Sequence, residues 1–140
     1  MTPAVFLDAS VLLLALGGES VVKRTSMQLI AVATEGRCAL HLSVEAVQEV
    51  VFHRMRRTDR ARALLQGREI AALAVVHPFD EDVLRRSLLL VETTAIRGRD
   101  AVHAATAMAH GFDAIVTTDR DFETVPGLEV LDPAAALARL

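Results

Sequence analysis

The sequence predicts an α/β fold: a three-layer α/β/α sandwich built on a short, mostly parallel sheet. Two observations carry that prediction. Short, continuously apolar runs bounded by turn residues recur along the chain, as strands buried on both faces require. Between them lie longer segments with helical periodicity, so strands and helices alternate. A length of 140 residues, with 52% of them hydrophobic, supplies one core and predicts a single domain over residues 1–140.

The first strand is Ala4 to Leu7, running into Asp8-Ala9-Ser10 and a helix whose first turns are Val11 to Leu16. Gly17 and Gly18 break it. Glu19 to Glu35 follows as an amphipathic helix, with Val22, Met27, Leu29, Ile30 and Val32 on its apolar side and Gly36 as its stop. Cys38 to Leu42 is the second strand, and Ser43 caps the helix that starts VEAVQEVVFHRM. A further helix starts at Thr58 or Asp59 and reaches about Ala74. Val75 to Phe79 is the third strand, and Asp80 and Glu81 lead the next helix, acids at its positive end.

The stretch from Arg97 to Phe122 then reads as loop, helix, turn, strand and loop, with Asp100 opening the helix and Asp113 to Val116 as the fourth strand. Leu128 to Leu131 is a fifth strand. Pro133 starts the last helix, a position that suits a fixed φ and no N–H.

The carboxylates give this frame a chemical reading. Asp8 follows the first strand and Asp119 the fourth, so parallel neighbours would project both from one edge, where open α/β sheets bind ligands. A right-handed crossover brings the helix headed by Asp100 to that edge. The helix after the second strand offers Glu45 or Glu49, one turn apart. Glu49 sits among Val47, Val50, Val51 and Phe52, which favours an inward role, whereas Glu45 suits the helix N-terminus without one. Taken alone, Asp100 reads as a helix cap and Asp119 as a turn residue. Asp121 reads equally as turn or metal neighbour, and Asp113, at a strand entry, as a turn. Asp8, between FL and VLLL, has no such local account. Ser10 and Thr117 stand where their hydroxyls either cap and turn or aim the carboxylates.

Like charges so close need a positive ion between them. Mg²⁺, a hard cation that takes oxygen ligands and bridges to phosphate, is the economical answer. One or two such ions would orient a water and stabilise the leaving oxygen of a phosphodiester. The five histidines are scattered in sequence and form no HExxH motif.

Composition excludes other classes. No apolar run approaches the roughly 20 residues of a membrane span, and the N-terminus lacks a signal peptide's basic start. One cysteine, Cys38, allows neither an intramolecular disulfide nor a cysteine-cluster zinc site; together these predict a cytoplasmic protein. A net charge of −3 does not exclude nucleic acid, because six arginines gather between Arg54 and Arg68. They read as a solvated helix face or as contacts to RNA phosphates. With aromatics at 4%, no base-stacking platform is expected.

The segments FLDASVLL, SVEAVQEVV, RGRDAVHAATAMAHG and IVTTDRDFETVPGLEVL together resemble a PIN-domain ribonuclease of the VapC toxin type. The resemblance covers nearly the whole chain, most specifically residues 5–12 and 97–131, more loosely 43–52, and 53–95 mainly by length. It implies an endoribonuclease dependent on Mg²⁺, or Mn²⁺ as a substitute. Its acids would be Asp8, Glu49 (Glu45 less favoured), Asp100 and Asp119, with Asp121 a less certain metal neighbour. It further implies a VapB-type antitoxin and a homodimer. Thr118 stands where asparagine is common, and Asp8-Ala9-Ser10 lacks the frequent Thr-Asn, but no acid is missing. On this reading RNA is cut to leave a 5′-phosphate and a 3′-hydroxyl, and Arg97, Arg99 and Arg120 hold substrate phosphates.

Rival readings are weaker or narrower. A phosphoryl-receiver domain expects an acidic pair near Asp8 and a lysine after the last strand, but the sole lysine is Lys23. An Asp-nucleophile hydrolase expects an acid at residue 10, which is serine. A housekeeping PIN nuclease or a non-catalytic PIN-like binding module shares the fold and differs in use.

Overall fold

The computed structural model describes residues 1–140. Its elements, in order, are β1 (Ala4–Phe6), α1 (Ala9–Leu16), α2 (Val21–Thr34), β2 (Ala39–Ser43), α3 (Val44–Arg57), α4 (Arg60–Leu73), β3 (Val75–His77), α5 (Glu81–Thr93), α6 (Gly98–Ala109), β4 (Ala114–Val116), a 3₁₀ turn (Arg120–Thr124), β5 (Glu129–Leu131) and α7 (Pro133–Ala138). Every predicted strand and helix is present, with ends displaced by one or two residues. The 3₁₀ turn, foreseen only as loop, is the addition.

All strand pairing is parallel. β1, β2 and β3 form one ladder in that order, and β4 pairs with β5 in a second. A single bridge, Leu7 to Val116, joins the two, sealed by the Asp8 N–H donating to the Val116 carbonyl at 2.9 Å. The combined order is therefore β3-β2-β1-β4-β5. The chain builds outward from β1 in one direction, then returns to build outward in the other. The C-terminal ends of β1 and β4 flank that reversal, where an open α/β sheet leaves a crevice.

Alternation along the strands divides the core. Leu7, Leu40, Leu42 and Val116 pack with α1, α2 and Ala136 of α7 on one face. Phe6 and Ile115 pack with Ile96, Phe122 and the alanines of α6 on the other, and α5 packs its Val83 against Val102 and Ala105 of α6. In α6, Ala101, Ala104, Ala105 and Ala107 are all buried. Their small side chains let the helix lie close to the sheet, and alanine has the highest helix propensity. Gly111, at φ +80°, ends it: the Phe112 N–H reaches the Ala107 carbonyl at 3.0 Å, a turn that needs left-handed backbone. Fully buried Phe122 fastens the 3₁₀ turn to this core.

α3 and α4 form a hairpin at its side. They approach so closely at Gly67 that a Cβ there would lie 2.4 Å from Val51 Cγ2. The arginines of residues 54–68 sit on this hairpin. Arg54 donates to Gln66 and Arg56 lies over the Phe52 ring, so part of that set is engaged within the protein.

Three of the histidines that look scattered in sequence come together. His41 Nδ1 and His77 Nε2 are 2.8 Å apart, and the His110 ring stacks on His77 with centroids 3.9 Å apart. β2 and β3 are neighbours, which accounts for the first pair, and the end of α6 brings the third.

Candidate metal centre

Asp8 is the centre's buried member, only 3% exposed. It occupies the N-cap position of α1 but makes no side-chain cap bond. Its carboxylate instead accepts from the Thr117 hydroxyl at Oδ2, 2.8 Å away. The Thr117 oxygen in turn accepts the Asp119 N–H at 3.0 Å, and the Thr118 N–H donates to Ser10 Oγ at 3.3 Å. Thr117 thus meets the Asp8 carboxylate, while Ser10 ties to Thr117 and Thr118 across the ends of β1 and β4 without touching it.

Asp100 does not cap α6, contrary to the local expectation. Arg97 holds that position without a side-chain bond, and Asp100 lies in the first turn. Burial, the Asp8 charge, a hydrogen bond with Asp119 and the Asp119 charge push the Asp100 carboxyl up to about 7. Asp119 caps the 3₁₀ turn through Oδ1, which accepts the Asp121 N–H at 2.9 Å. Turn residue and centre member are therefore compatible roles. Asp121 is exposed, and only its backbone N–H meets the acids.

Glu49, from α3, meets His103 and Arg99 rather than the other acids directly. Its Oε1 stands 3.7 Å from His103 Nε2 and 3.6 Å from an Arg99 nitrogen. The His103 imidazole, with Arg99 and His53 further contributing, holds the Glu49 carboxyl below its usual range against the opposing effect of burial. Glu45 lies in the first turn of the same helix and has no such contacts. Among the expected phosphate-holding arginines, Arg97 is exposed. Arg99 faces Glu49, and exposed Arg120 pairs with Glu123 at 3.5 Å.

Sequence reasoning missed His103. It is fully buried, one helical turn after Asp100, with Nδ1 2.6 Å from Ser43 Oγ and Nε2 3.8 Å from Asp8 Oδ1. Asp8, Asp100 and His103 offer ligand-type atoms that all lie within 4.8 Å of one another. The three-residue step from Asp100 along an alanine-rich helix puts both side chains on one face, a signal present in the sequence.

The donor chemistry fits a hard divalent cation. Asp8 and Asp100 bring carboxylate oxygens within 4.8 Å of one another, and Asp119 stands beside Asp100; burial first, then these two acids, disfavour the Asp100 charge. A cleft of about 500 Å³ opens beside the centre, lined by Asp119, Thr118, Val21, Val22 and Ala134 among others.

Residues 5–128 match the PIN domain family. The chain is 33% identical over 135 residues to Ribonuclease VapC7 of Mycobacterium tuberculosis, covering 94% of this chain and 93% of that protein. In fold it is similar to the DNA-bound VapBC of Salmonella typhimurium, with TM-score 0.74, 16% identity, and 95% and 99% of the two chains covered. It is similar also to Mycobacterium tuberculosis VapC20, a sarcin–ricin-loop-cleaving toxin, with TM-score 0.69, 17% identity, and 85% and 92% covered.

Proposed function

The chain belongs to the PIN domain family, and on that premise we propose that it is a metal-dependent endoribonuclease, the toxin of a type II toxin–antitoxin pair. The observation that carries the proposal is the close approach of the Asp8 and Asp100 carboxylates at the sheet reversal, with Asp119 beside Asp100. Such crowding destabilises the fold unless it serves a cation, and family membership supplies the reaction.

Asp8, Asp100, Asp119 and Glu49 would hold Mg²⁺, with Mn²⁺ as a substitute. A divalent ion so held supplies positive charge for a scissile phosphate and makes a water more acidic. The chain's own residues do the rest. Thr117 fixes the Asp8 carboxylate by occupying Oδ2, and the Asp121 N–H occupies Asp119 Oδ1, so each acid is oriented before any ligand arrives. Arg97 and Arg99 stand at the N-terminus of α6, where helix and guanidinium both favour phosphate. With Arg120, which lines the cleft beside Asp119, they would hold an RNA backbone near the acids. Contacts of that kind position a strand without reading its bases.

The proposed partner is a VapB-type antitoxin. It is supported by the VapC7 relative and by the likeness to the Salmonella VapBC structure. A homodimer, a cytoplasmic location and a single PIN domain over residues 1–140 complete the reading. No helix is long and apolar enough to cross a membrane.

The test is RNA cleavage in Mg²⁺ by the unmodified chain, Asp8→Asn and Asp119→Asn. The proposal expects cleavage that stops with chelator and is lost in both variants. Full metal-dependent activity in both would overturn the assignment of the site.

A further inference from the structure

His103 sits among the acids with a nitrogen that a metal would accept, and its proton inventory decides its role. Ser43 Oγ, buried at 1% exposure, accepts the Ala46 N–H at 3.1 Å and lies 2.6 Å from His103 Nδ1. The Ser43 hydroxyl proton has no other acceptor. If Nδ1 carried a proton, that hydroxyl would be buried without a partner, a loss that disfavours the arrangement by roughly tenfold or more. Nδ1 is therefore the acceptor, and the ring proton resides on Nε2. Nε2 is wholly buried and has no hydrogen-bond partner; Asp8 Oδ1 and Glu49 Oε1 lie on it at 3.8 and 3.7 Å. A nitrogen lone pair aimed at two carboxylate oxygens would be repelled by both. An N–H aimed there is attracted by both.

We infer that His103 is a positioning residue rather than a metal ligand: its Nε2–H, fixed by the Ser43 hydroxyl on Nδ1, draws the Asp8 and Glu49 carboxylates toward one another. α6 thereby holds an acid from β1 and an acid from α3 in register through one ring, and the ligand set is oxygen only. Oxygen-only sites suit Mg²⁺ and Mn²⁺, whereas an imidazole ligand would shift preference toward Zn²⁺. The inference rests on the acids being the metal-holding set, but its main readout requires neither RNA cleavage nor a loaded site.

Two-bond ¹H–¹⁵N spectra of the full chain, labelled at histidine and recorded near pH 8, report the tautomer directly. The expected result is a protonated Nε2 and an unprotonated Nδ1, unchanged by adding Mg²⁺. A ring protonated at Nδ1 alone, a doubly protonated ring, or loss of the Nε2 proton on adding Mg²⁺ would each overturn it. Mn²⁺ affinity of variants gives the second readout. His103→Gln, whose amide N–H can donate in place of the ring, should stay within about tenfold of the unmodified chain. His103→Leu should fall by roughly 10- to 100-fold, as for loss of a supporting hydrogen bond. Equal, larger losses in both would make the ring a ligand. Should nuclease activity prove absent, the tautomer result still stands on its own.

Discussion

Replacing Asp100 by Asn should make the metal-free protein more stable and its metal response weaker. In the folded chain the Asp100 carboxyl is raised from 3.8 to about 7, by burial first and then by Asp8 and Asp119. A raised carboxyl stabilises the fold at low pH, and that stability is lost as pH climbs from about 4 through about 7. The full shift corresponds to about 4 kcal/mol at pH 8. Asp100 is only half-buried, so solvent screening reduces the realised figure to about 2 kcal/mol. Asn keeps the shape and removes the charge. In chelator near pH 8 the variant should therefore melt roughly 7 °C above the unmodified chain, from an unfolding entropy of about 0.3 kcal/mol/K for this length. Near pH 5 the gap should shrink to about 2–3 °C, because the folded carboxyl is then already protonated. Contributions from His41 and His77, which do not act on the Asp100 carboxyl, are common to both chains and cancel. Mg²⁺ at a hundredfold excess over its Kd adds about 2.7 kcal/mol to the unmodified chain and less to the variant, closing the gap. Thermal unfolding across this pH range, with and without Mg²⁺, measures all of it. A gap independent of pH, or a variant less stable near pH 8, would show that the acids do not repel as argued.

Three more outcomes follow from particular contacts. Glu49→Gln should lower metal-dependent RNA cleavage roughly hundredfold while Glu45→Gln stays within a few-fold, since only Glu49 meets His103 and Arg99. Gly67→Ala should destabilise the chain by about 1–3 kcal/mol, measured by urea unfolding, because the new methyl would collide with Val51. His41 and His77 are held below the usual histidine range, by burial first, then by His110 and, for His77, also by His41. A lowered base binds its proton more readily when unfolded, so stability is full above about pH 6.5 and declines below it. His77→Phe should flatten that decline in acid melts.

The frame and the acids were readable because each rests on local signals. Continuous apolar runs named the strands, and capping residues such as Ser43 and Asp80 do cap their helices. The burial of Asp8 follows from its apolar neighbours on both sides. What escaped depends on side-chain direction across the fold. That Asp100 lies inside α6 and not at its cap is set by where the chain enters from Ile96, which is buried. That His103 belongs with the acids is set by Ser43, 60 residues away. The histidine trio depends on β2 beside β3 and on the end of α6, a pairing no single segment encodes. The 3₁₀ turn is held by Phe122, whose pocket exists only once Phe6 and Ile115 are in place.

The two ladders meet at one bridge, Leu7 to Val116, and the acids sit immediately beyond it. This gives the protein a schedule during its own synthesis. A ribosome adding roughly 5–20 residues each second delivers β1, β2 and β3 well before β4. A nascent chain stopped before Val116 would carry the first ladder and Asp8, but neither the Thr117 hydroxyl that aims Asp8 nor Asp119. If the acids form a nuclease centre, it is completed only after β4 and the residues that follow it have been made. Fragments released early would then be inert toward the RNA of the cell that makes them.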